Sequence, residues 1–168
     1  MPFNVGGSYI IITRSVGDLR YAILVSSNAY RDREDEIVSE KALQDATANY
    51  EGGQPLLLWH SGEPIGEITS MDMMSSFLVE VAKELPNKLV NVAAPGEAPL
   101  YIYRKDVWDA MEQNPQEWGV SIGFKYRKGD EQDTVYDRIL KFESSVLPLN
   151  MAANILTAVF VTNSKEQL

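Results

Sequence analysis

The stretch Gly119-Val-Ser-Ile-Gly-Phe-Lys-Tyr126 alternates apolar residues with small or polar ones, which is the pattern of a half-buried β-strand. Residues 127–132 then predict a turn, and Thr134-Val-Tyr-Asp-Arg-Ile-Leu-Lys-Phe-Glu143 predicts a returning strand. A serine between two glycines also marks the nucleophile elbow of α/β-hydrolases, where a helix follows the serine. Because a strand follows here, the stretch disfavours that fold and predicts an antiparallel strand pair.

A hairpin is predicted near the N-terminus. Tyr9-Ile-Ile-Ile-Thr13 and Arg20-Tyr-Ala-Ile-Leu-Val-Ser26 are rich in β-branched and aromatic residues, which favour strands. Val16-Gly-Asp18 between them has turn chemistry, so we expect the two strands to pair.

The middle of the chain predicts more strands. Leu56-Leu-Leu-Trp-His60 is typical of a buried strand, Ser61-Gly-Glu-Pro64 of a turn, and Ile65-Gly-Glu-Ile-Thr69 of the returning strand. Between Met71 and Lys88 a helical spacing competes with a strand at Phe77–Val81, and we favour the strand.

Three helices are predicted around these strands. Ser39 is expected to cap a helix that ends near Asn49, and further helices are expected at Lys105–Gln113 and Asn150–Val161. Residues 91–99 resemble a linker but are too few to separate two domains. Strands at this density in a short chain must close or stack to protect their edges. The predicted fold is therefore α+β and mainly β, a small closed β-barrel flanked by helices, in a single domain spanning residues 1–168.

The composition limits the chemistry. The 168 residues include no cysteine and one histidine, and 24 acidic against 15 basic side chains give a formal charge of −9. This excludes disulfides, thiolate chemistry and metal sites built on cysteine or several histidines, so we expect no cofactor and no metal. The acidic balance argues against a nucleic-acid partner, and no apolar run approaches the ~20 residues that cross a bilayer. An N-terminus without secretion-signal features suits a cytosolic or particle-enclosed protein.

His60 is the natural candidate for a general base, because imidazole titrates near neutral pH. The alternative is a packed or surface histidine beside Trp59. Ser121 is the candidate nucleophile, with Gly119 and Gly123 on the same strand face leaving room for a substrate backbone. The alternative is a strand packed closely against a helix. A nucleophilic serine needs a base, and His60 is the one imidazole in the sequence.

A third group should orient the imidazole, and with one histidine it must be a carboxylate. Glu143 is the most attractive candidate because it ends the strand that returns beside Ser121 and lies between Phe142 and Val146, at the edge of an apolar region. Asp72 and Asp137 remain alternatives on the sequence alone.

Two charged clusters are also present. Asp32-Arg-Glu-Asp-Glu36 spaces its acids like a calcium loop but lacks the glycine and the distal glutamate, so a solvated turn is favoured. Five basic residues crowd the Ser121 hairpin, where they are expected to form a solvated face, although a cation there can also stabilise an oxyanion. These residues are Lys125, Arg127, Lys128, Arg138 and Lys141.

Four segments occur in one order along about residues 20 to 158: Ser27–Ser39, Leu57–Glu67, Trp118–Phe124, and Phe142–Pro148 with Ala152–Asn154. In sequence and order these segments resemble the tailed-phage prohead proteases, which are capsid-maturation serine proteases related in fold to the herpesvirus assemblins.

The resemblance implies a herpesvirus-protease-like fold and a serine endopeptidase with His60 as base, Ser121 as nucleophile and Glu143 as the third, acidic residue. It also implies that the substrates are scaffold protein, the scaffolding arm of the major capsid protein and the protease itself. The expected setting is the host cytoplasm inside the prohead, as a homo-oligomer of two or more copies. Assemblins use a second histidine as the third residue, which this sequence lacks.

Two other functions remain open. One is a catalytically silent relative that serves as a scaffold or capsid-binding module with the same fold. The other is an unrelated β-barrel binding protein in which His60 and Ser121 lie far apart.

Overall fold

A curled seven-stranded sheet forms most of the structure. The structure is a computed structural model, and it describes residues 2–5, 8–11, 19–85, 105–126, 131–132 and 134–162. Two α-helices accompany it, α1 (Glu40–Ala48) and α2 (Lys105–Gln113). The strands among the described residues are β1 (Pro2–Val5), β2 (Ser8–Ile11), β3 (Tyr21–Asn28), β4 (Ile37–Val38), β5 (Gln54–Leu58), β6 (Ser61–Met74), β7 (Phe77–Glu84), β8 (Trp118–Lys125), β9 (Glu131–Gln132), β10 (Val135–Tyr136), β11 (Leu140–Pro148) and β12 (Ala158–Thr162).

The order of strands in the large sheet is β12-β3-β7-β6-β5-β11-β8. Neighbours are antiparallel except β5 and β11, which are parallel. The sheet curls so that its last strand returns towards the first: the N–H of Val120 on β8 donates to Thr157 Oγ1, just before β12, at 3.0 Å.

The sheet is a half-barrel, and the closed barrel predicted from the sequence is not shown. Within the described residues no ladder joins β8 to β12. The connection between β11 and β12 lies at this point instead: a Cβ added to Gly119 would lie only 3.0 Å from the Leu149 side chain and 3.1 Å from that of Ala152.

The core lies inside the curl and is covered by both helices. Ser39 caps α1 by accepting a hydrogen bond from the Ala42 N–H, as predicted, and α1 buries Leu43 completely. Trp108 of α2 is fully buried, and its indole N–H donates to the Ile65 carbonyl of β6 at 2.9 Å. The predicted helix at Lys105–Gln113 is therefore confirmed, with its apolar face in the core.

The predicted helix at Asn150–Val161 is wrong. The chain makes a short 3-10 turn at Leu149–Met151 and then forms β12, which pairs with β3 from Ala158↔Val25 to Thr162↔Tyr21. The β-branched and aromatic residues of 158–162 suit a strand. Pairing with β3 supplies the backbone hydrogen bonds of this strand, and this tertiary contact was not considered in the helix prediction.

The predicted N-terminal hairpin is also wrong in its pairing. β2 pairs with β1, whereas β3 lies between β12 and β7. The strand preferred at Phe77–Val81 is confirmed as part of β7. The predicted turn at Val16–Asp18 and the linker-like residues 91–99 lie outside the described residues. Among the described helices, none is long and apolar enough to cross a bilayer.

Replacing the central core tryptophan should destabilise the fold strongly. We expect Trp108→Ala to lower the free energy of unfolding by about 3–5 kcal/mol, because it removes a fully buried aromatic side chain. Urea denaturation followed by circular dichroism measures this change. Trp59→Ala is the matched control, since Trp59 is 45% exposed and should lose less than about 1 kcal/mol. Equal losses in the two variants would contradict the placement of Trp108.

Candidate active site

Three neighbouring elements bring the predicted site residues together. Ser121 lies on β8 and Glu143 on β11, and the two strands pair so that Ser145 faces Ser121 and Glu143 faces Gly123. His60 lies in the turn between β5 and β6, and β5 runs beside β11. The strand order β5-β11-β8 therefore places the three predicted residues, which are far apart in sequence, within one small area.

His60 lies in a tight hairpin turn. The turn was predicted at Ser61–Pro64, but Leu58 pairs with Ser61, so Trp59 and His60 form the turn. Both have positive φ, 56° and 57°, the region that two-residue turns of this kind require and that bulky residues avoid. β11 holds this strained turn in place, because Trp59 N–H donates to the Val146 carbonyl at 3.2 Å.

The His60 ring joins Glu143 to Ser121. Its Nδ1 is hydrogen-bonded to Glu143 Oε1, and its Nε2 lies 2.9 Å from Ser121 Oγ. The Glu143 side chain is 4% exposed and that of His60 is 41% exposed. The carboxylate is therefore shielded from water, while the imidazole reaches the surface where a substrate can approach.

The contact with Glu143 decides which nitrogen of His60 carries the proton. An ionised carboxylate only accepts hydrogen bonds, so Nδ1 is the donor and Nε2 of the neutral ring accepts the Ser121 O–H. The hydrogen bond with Glu143 raises the pKa of His60 above its usual 6.5; partial burial opposes the rise, and the charge of Glu143 adds to it. In this arrangement a serine, a histidine and a glutamate could act chemically as nucleophile, base and orienting acid.

A bulge in β11 orients the Glu143 side chain towards His60. The pairing of β11 with β8 shifts register between Lys141 and Glu143, with Phe142 as the extra residue. Lys141 consequently points into the core, where its ammonium lies 3.0 Å from Glu80 Oε2. Burial lowers the pKa of Lys141.

The expected solvated basic face is thus wrong for Lys141, whose side chain is 1% exposed. Lys125 and Arg138 are exposed as expected. Arg127 and Lys128 lie outside the described residues.

The space beside the two glycines around Ser121 is filled by other side chains, contrary to the prediction. They were expected to leave room for a substrate backbone. Instead, the Glu143 carboxylate lies across Gly123, where any Cβ would overlap it. Gly119 is covered by Leu149, Ala152 and Thr157. The glycine at position 123 therefore serves the site by making room for the carboxylate.

A cavity of about 200 Å³ opens beside Ser121. It is lined on one side by β8 and on the other by the segment after β3, including Tyr30, Asp32 and Glu36. Asp32 Oδ1 accepts the N–H groups of Glu34 and Glu36 at 2.8 and 2.9 Å, which is the behaviour of a turn-forming aspartate. This bonding agrees with the turn favoured from the sequence.

Ser145 was not singled out in the sequence, yet its hydroxyl is bonded to the His60 backbone N–H and to Glu143 Oε2. The signal was available: it follows Glu143 by two residues on a strand, so the two side chains share a face. The two alternatives to Glu143, Asp72 and Asp137, are exposed, and neither is bonded to the His60 ring within the described part of the chain.

The raised pKa of His60 is directly measurable, because the sequence has one histidine and hence one imidazole signal. We expect its NMR titration midpoint to lie above 6.5, and Glu143→Gln to lower it, since the neutral amide removes the main cause of the rise. The pair stabilises the fold fully below pH 6.5 and loses this contribution as pH rises through the folded-state pKa. Asp72→Asn, a remote control, should leave the midpoint unchanged. A Glu143→Gln midpoint equal to that of the wild type would contradict the contact.

Gly123→Ala should disconnect His60 from its carboxylate. The added methyl group would occupy the position of the Glu143 side chain, and this flexible side chain must move away. We expect the His60 midpoint to fall as in Glu143→Gln, with folding retained. The same NMR titration measures the midpoint, and circular dichroism checks the fold. A folded variant with the wild-type midpoint would show that Glu143 does not need the space above Gly123.

No protein-family model and no curated protein sequence matches this chain. The contacts of His60 with Ser121 and Glu143 are therefore the main indication of function in this chain.

Proposed function

We propose that this protein is a serine endopeptidase in which Ser121 is the nucleophile, His60 the general base and Glu143 the residue that orients it. The observation that carries this proposal is the continuous contact from Glu143 through His60 to Ser121, with 2.9 Å between His60 Nε2 and Ser121 Oγ. This distance lies within the range in which a base accepts a proton from its nucleophile.

The reaction is acyl transfer in two steps. Ser121 Oγ attacks a peptide carbonyl while His60 Nε2 takes its proton, and Glu143 stabilises the imidazolium that forms. The tetrahedral intermediate collapses when His60 gives that proton to the leaving amine, which breaks the peptide bond. Water, activated by His60, then hydrolyses the ester on Ser121 and restores the free enzyme.

A peptide substrate fits the position of Ser121 on an edge strand. β8 ends the seven-stranded sheet, and the Val120 N–H points away from β11 towards Thr157. Alternation along the strand turns the N–H groups of Ile122 and Phe124 the same way, into the cavity beside Ser121. An extended peptide can add to such an edge and bring its carbonyl to the serine.

The resemblance to prohead proteases supplies the biological part of the proposal. The substrates are the scaffold, or the scaffolding arm of the major capsid protein, and the protease itself. Cleavage takes place inside the phage prohead in the host cytoplasm, by a homo-oligomer. The half-barrel is then an instance of the herpesvirus-protease-like fold.

Replacing the nucleophile tests the proposal. We expect Ser121→Ala to lower cleavage of a co-expressed capsid or scaffold protein by at least about 10⁴-fold, with the fold intact, because the hydroxyl forms the acyl-enzyme. Ser70→Ala is the control, since Ser70 is exposed on β6. Cleavage products are measured by gel electrophoresis and mass spectrometry.

A fluorophosphonate probe separates the enzyme from a catalytically silent module. The wild type assembled with its capsid substrate should carry the label on Ser121, and Ser121→Ala should carry none. Undiminished cleavage by Ser121→Ala would refute the proposed mechanism. An unlabelled wild type without cleavage in the assembled state would favour the silent scaffold or capsid-binding module.

A further inference from the structure

Ser145 occupies a fully buried position between the two residues that support the nucleophile. It lies on β11 opposite Ser121 and has no exposed surface. Its hydroxyl oxygen accepts the His60 backbone N–H at 2.9 Å. The same hydroxyl donates to Glu143 Oε2 at 3.0 Å.

These bonds close a ring of contacts. The chain of hydrogen bonds runs from the His60 N–H to Ser145 Oγ, on to Glu143 Oε2, and back from Glu143 Oε1 to His60 Nδ1. A serine hydroxyl has one proton. Because its oxygen accepts from His60, that proton is directed to Glu143. The direction of every bond in the ring is therefore fixed.

The ring restrains two groups that are otherwise adjustable. Glu143 has rotatable side-chain bonds, but both of its oxygens are held, one by Ser145 and one by His60. His60 lies in a left-handed backbone conformation that non-glycine residues avoid, and its N–H is tied to Ser145. One hydroxyl thus holds the backbone of the base and the far oxygen of the acid.

We propose that Ser145 is a positioning residue of this site, which sets the turn carrying His60 and the carboxylate of Glu143 in mutual register. The inference rests on the proposed endopeptidase function for its kinetic consequence, but its structural consequence is independent of catalysis. Loss of the hydroxyl leaves the His60 N–H and the buried Glu143 Oε2 without this partner, so we expect the carboxylate to be held less firmly against Nδ1.

The chain offers a matched control in the next residue. Ser144 is on the same strand and equally buried, and its hydroxyl also donates to a buried carboxylate, Glu80 Oε1, at 2.6 Å. Its hydrogen bond points to the opposite face of the sheet, away from His60. Ser144→Ala therefore removes a buried hydroxyl at comparable structural cost without touching the ring.

The first experiment is proton NMR of the single imidazole, which needs no activity. We expect a low-field signal from the proton between His60 Nδ1 and Glu143 in the wild type and in Ser144→Ala. In Ser145→Ala that signal should be lost, and the titration midpoint of His60 should fall. Retention of both wild-type features in a folded Ser145→Ala would overturn the proposal, as would equal changes in Ser144→Ala.

A second pair of variants isolates the hydroxyl if Ser145→Ala does not fold. Ser145→Thr and Ser145→Val have nearly the same shape and differ in one hydroxyl. Ser145→Thr should keep the low-field signal and Ser145→Val should lose it. Identical behaviour of the two folded variants would overturn the proposal.

The kinetics of substrate cleavage give the last test. We expect Ser145→Ala and Ser145→Val to lower kcat by about 10²-fold with little change in KM, because misplacement of a catalytic group impairs the chemical step rather than binding. A rise in KM alone would contradict a positioning role. If the wild type cleaves nothing, the endopeptidase proposal fails, while the NMR comparison still decides the role of Ser145.

Discussion

The extra residue in β11, Phe142, decides where the charges of this sheet lie. Side chains two residues apart on a regular strand share a face, so without the bulge Lys141 and Glu143 would lie side by side. Either Glu80 would then be buried without its cation or His60 would lack its carboxylate, depending on which face the two side chains shared. Leaving a buried charge unpaired costs about 3–5 kcal/mol. The extra residue thus separates the buried Lys141–Glu80 pair from the Glu143–His60 pair.

The two buried carboxylates on either side of β11 have parallel partners but different access to water. Glu80 receives a serine hydroxyl and the Lys141 ammonium, and Glu143 receives a serine hydroxyl and the His60 imidazole. The Lys141 side chain is 1% exposed, so its proton is held inside the fold. His60 is 41% exposed, so its Nε2 can exchange protons with a bound molecule. Of the two cations, only the imidazole of His60 is both exposed and able to titrate near neutral pH.

The sequence predicted the parts that depend on local patterns and on elimination. Both predicted helices in the first two thirds of the chain are present, because capping at Ser39 and apolar spacing are local signals. His60 was identified as the one imidazole. The missed features are those that tertiary contacts impose. The turn at Trp59 and His60 was not predictable, because a Trp–His pair differs from the Asn–Gly pairs that favour two-residue turns. The direction of the Glu143 side chain was not predictable either, because no local sequence pattern indicates the bulge at Phe142. The residues of β12 suit a strand, and its pairing with β3, a tertiary contact, supplies the hydrogen bonds.

The position of Ser121 on an edge strand has a further consequence in solution. The row of backbone groups that can receive a peptide is the same row with which two sheets pair in aggregates, and proteins protect such edges with charge. In this protein Asp32, Glu34 and Glu36 line the cavity beside Ser121 and β8, and their carboxylates lie close together. Two copies that met edge to edge here would bring these acidic groups together. The negative charge of the cavity therefore disfavours pairing of two copies, while it does not repel a positively charged chain.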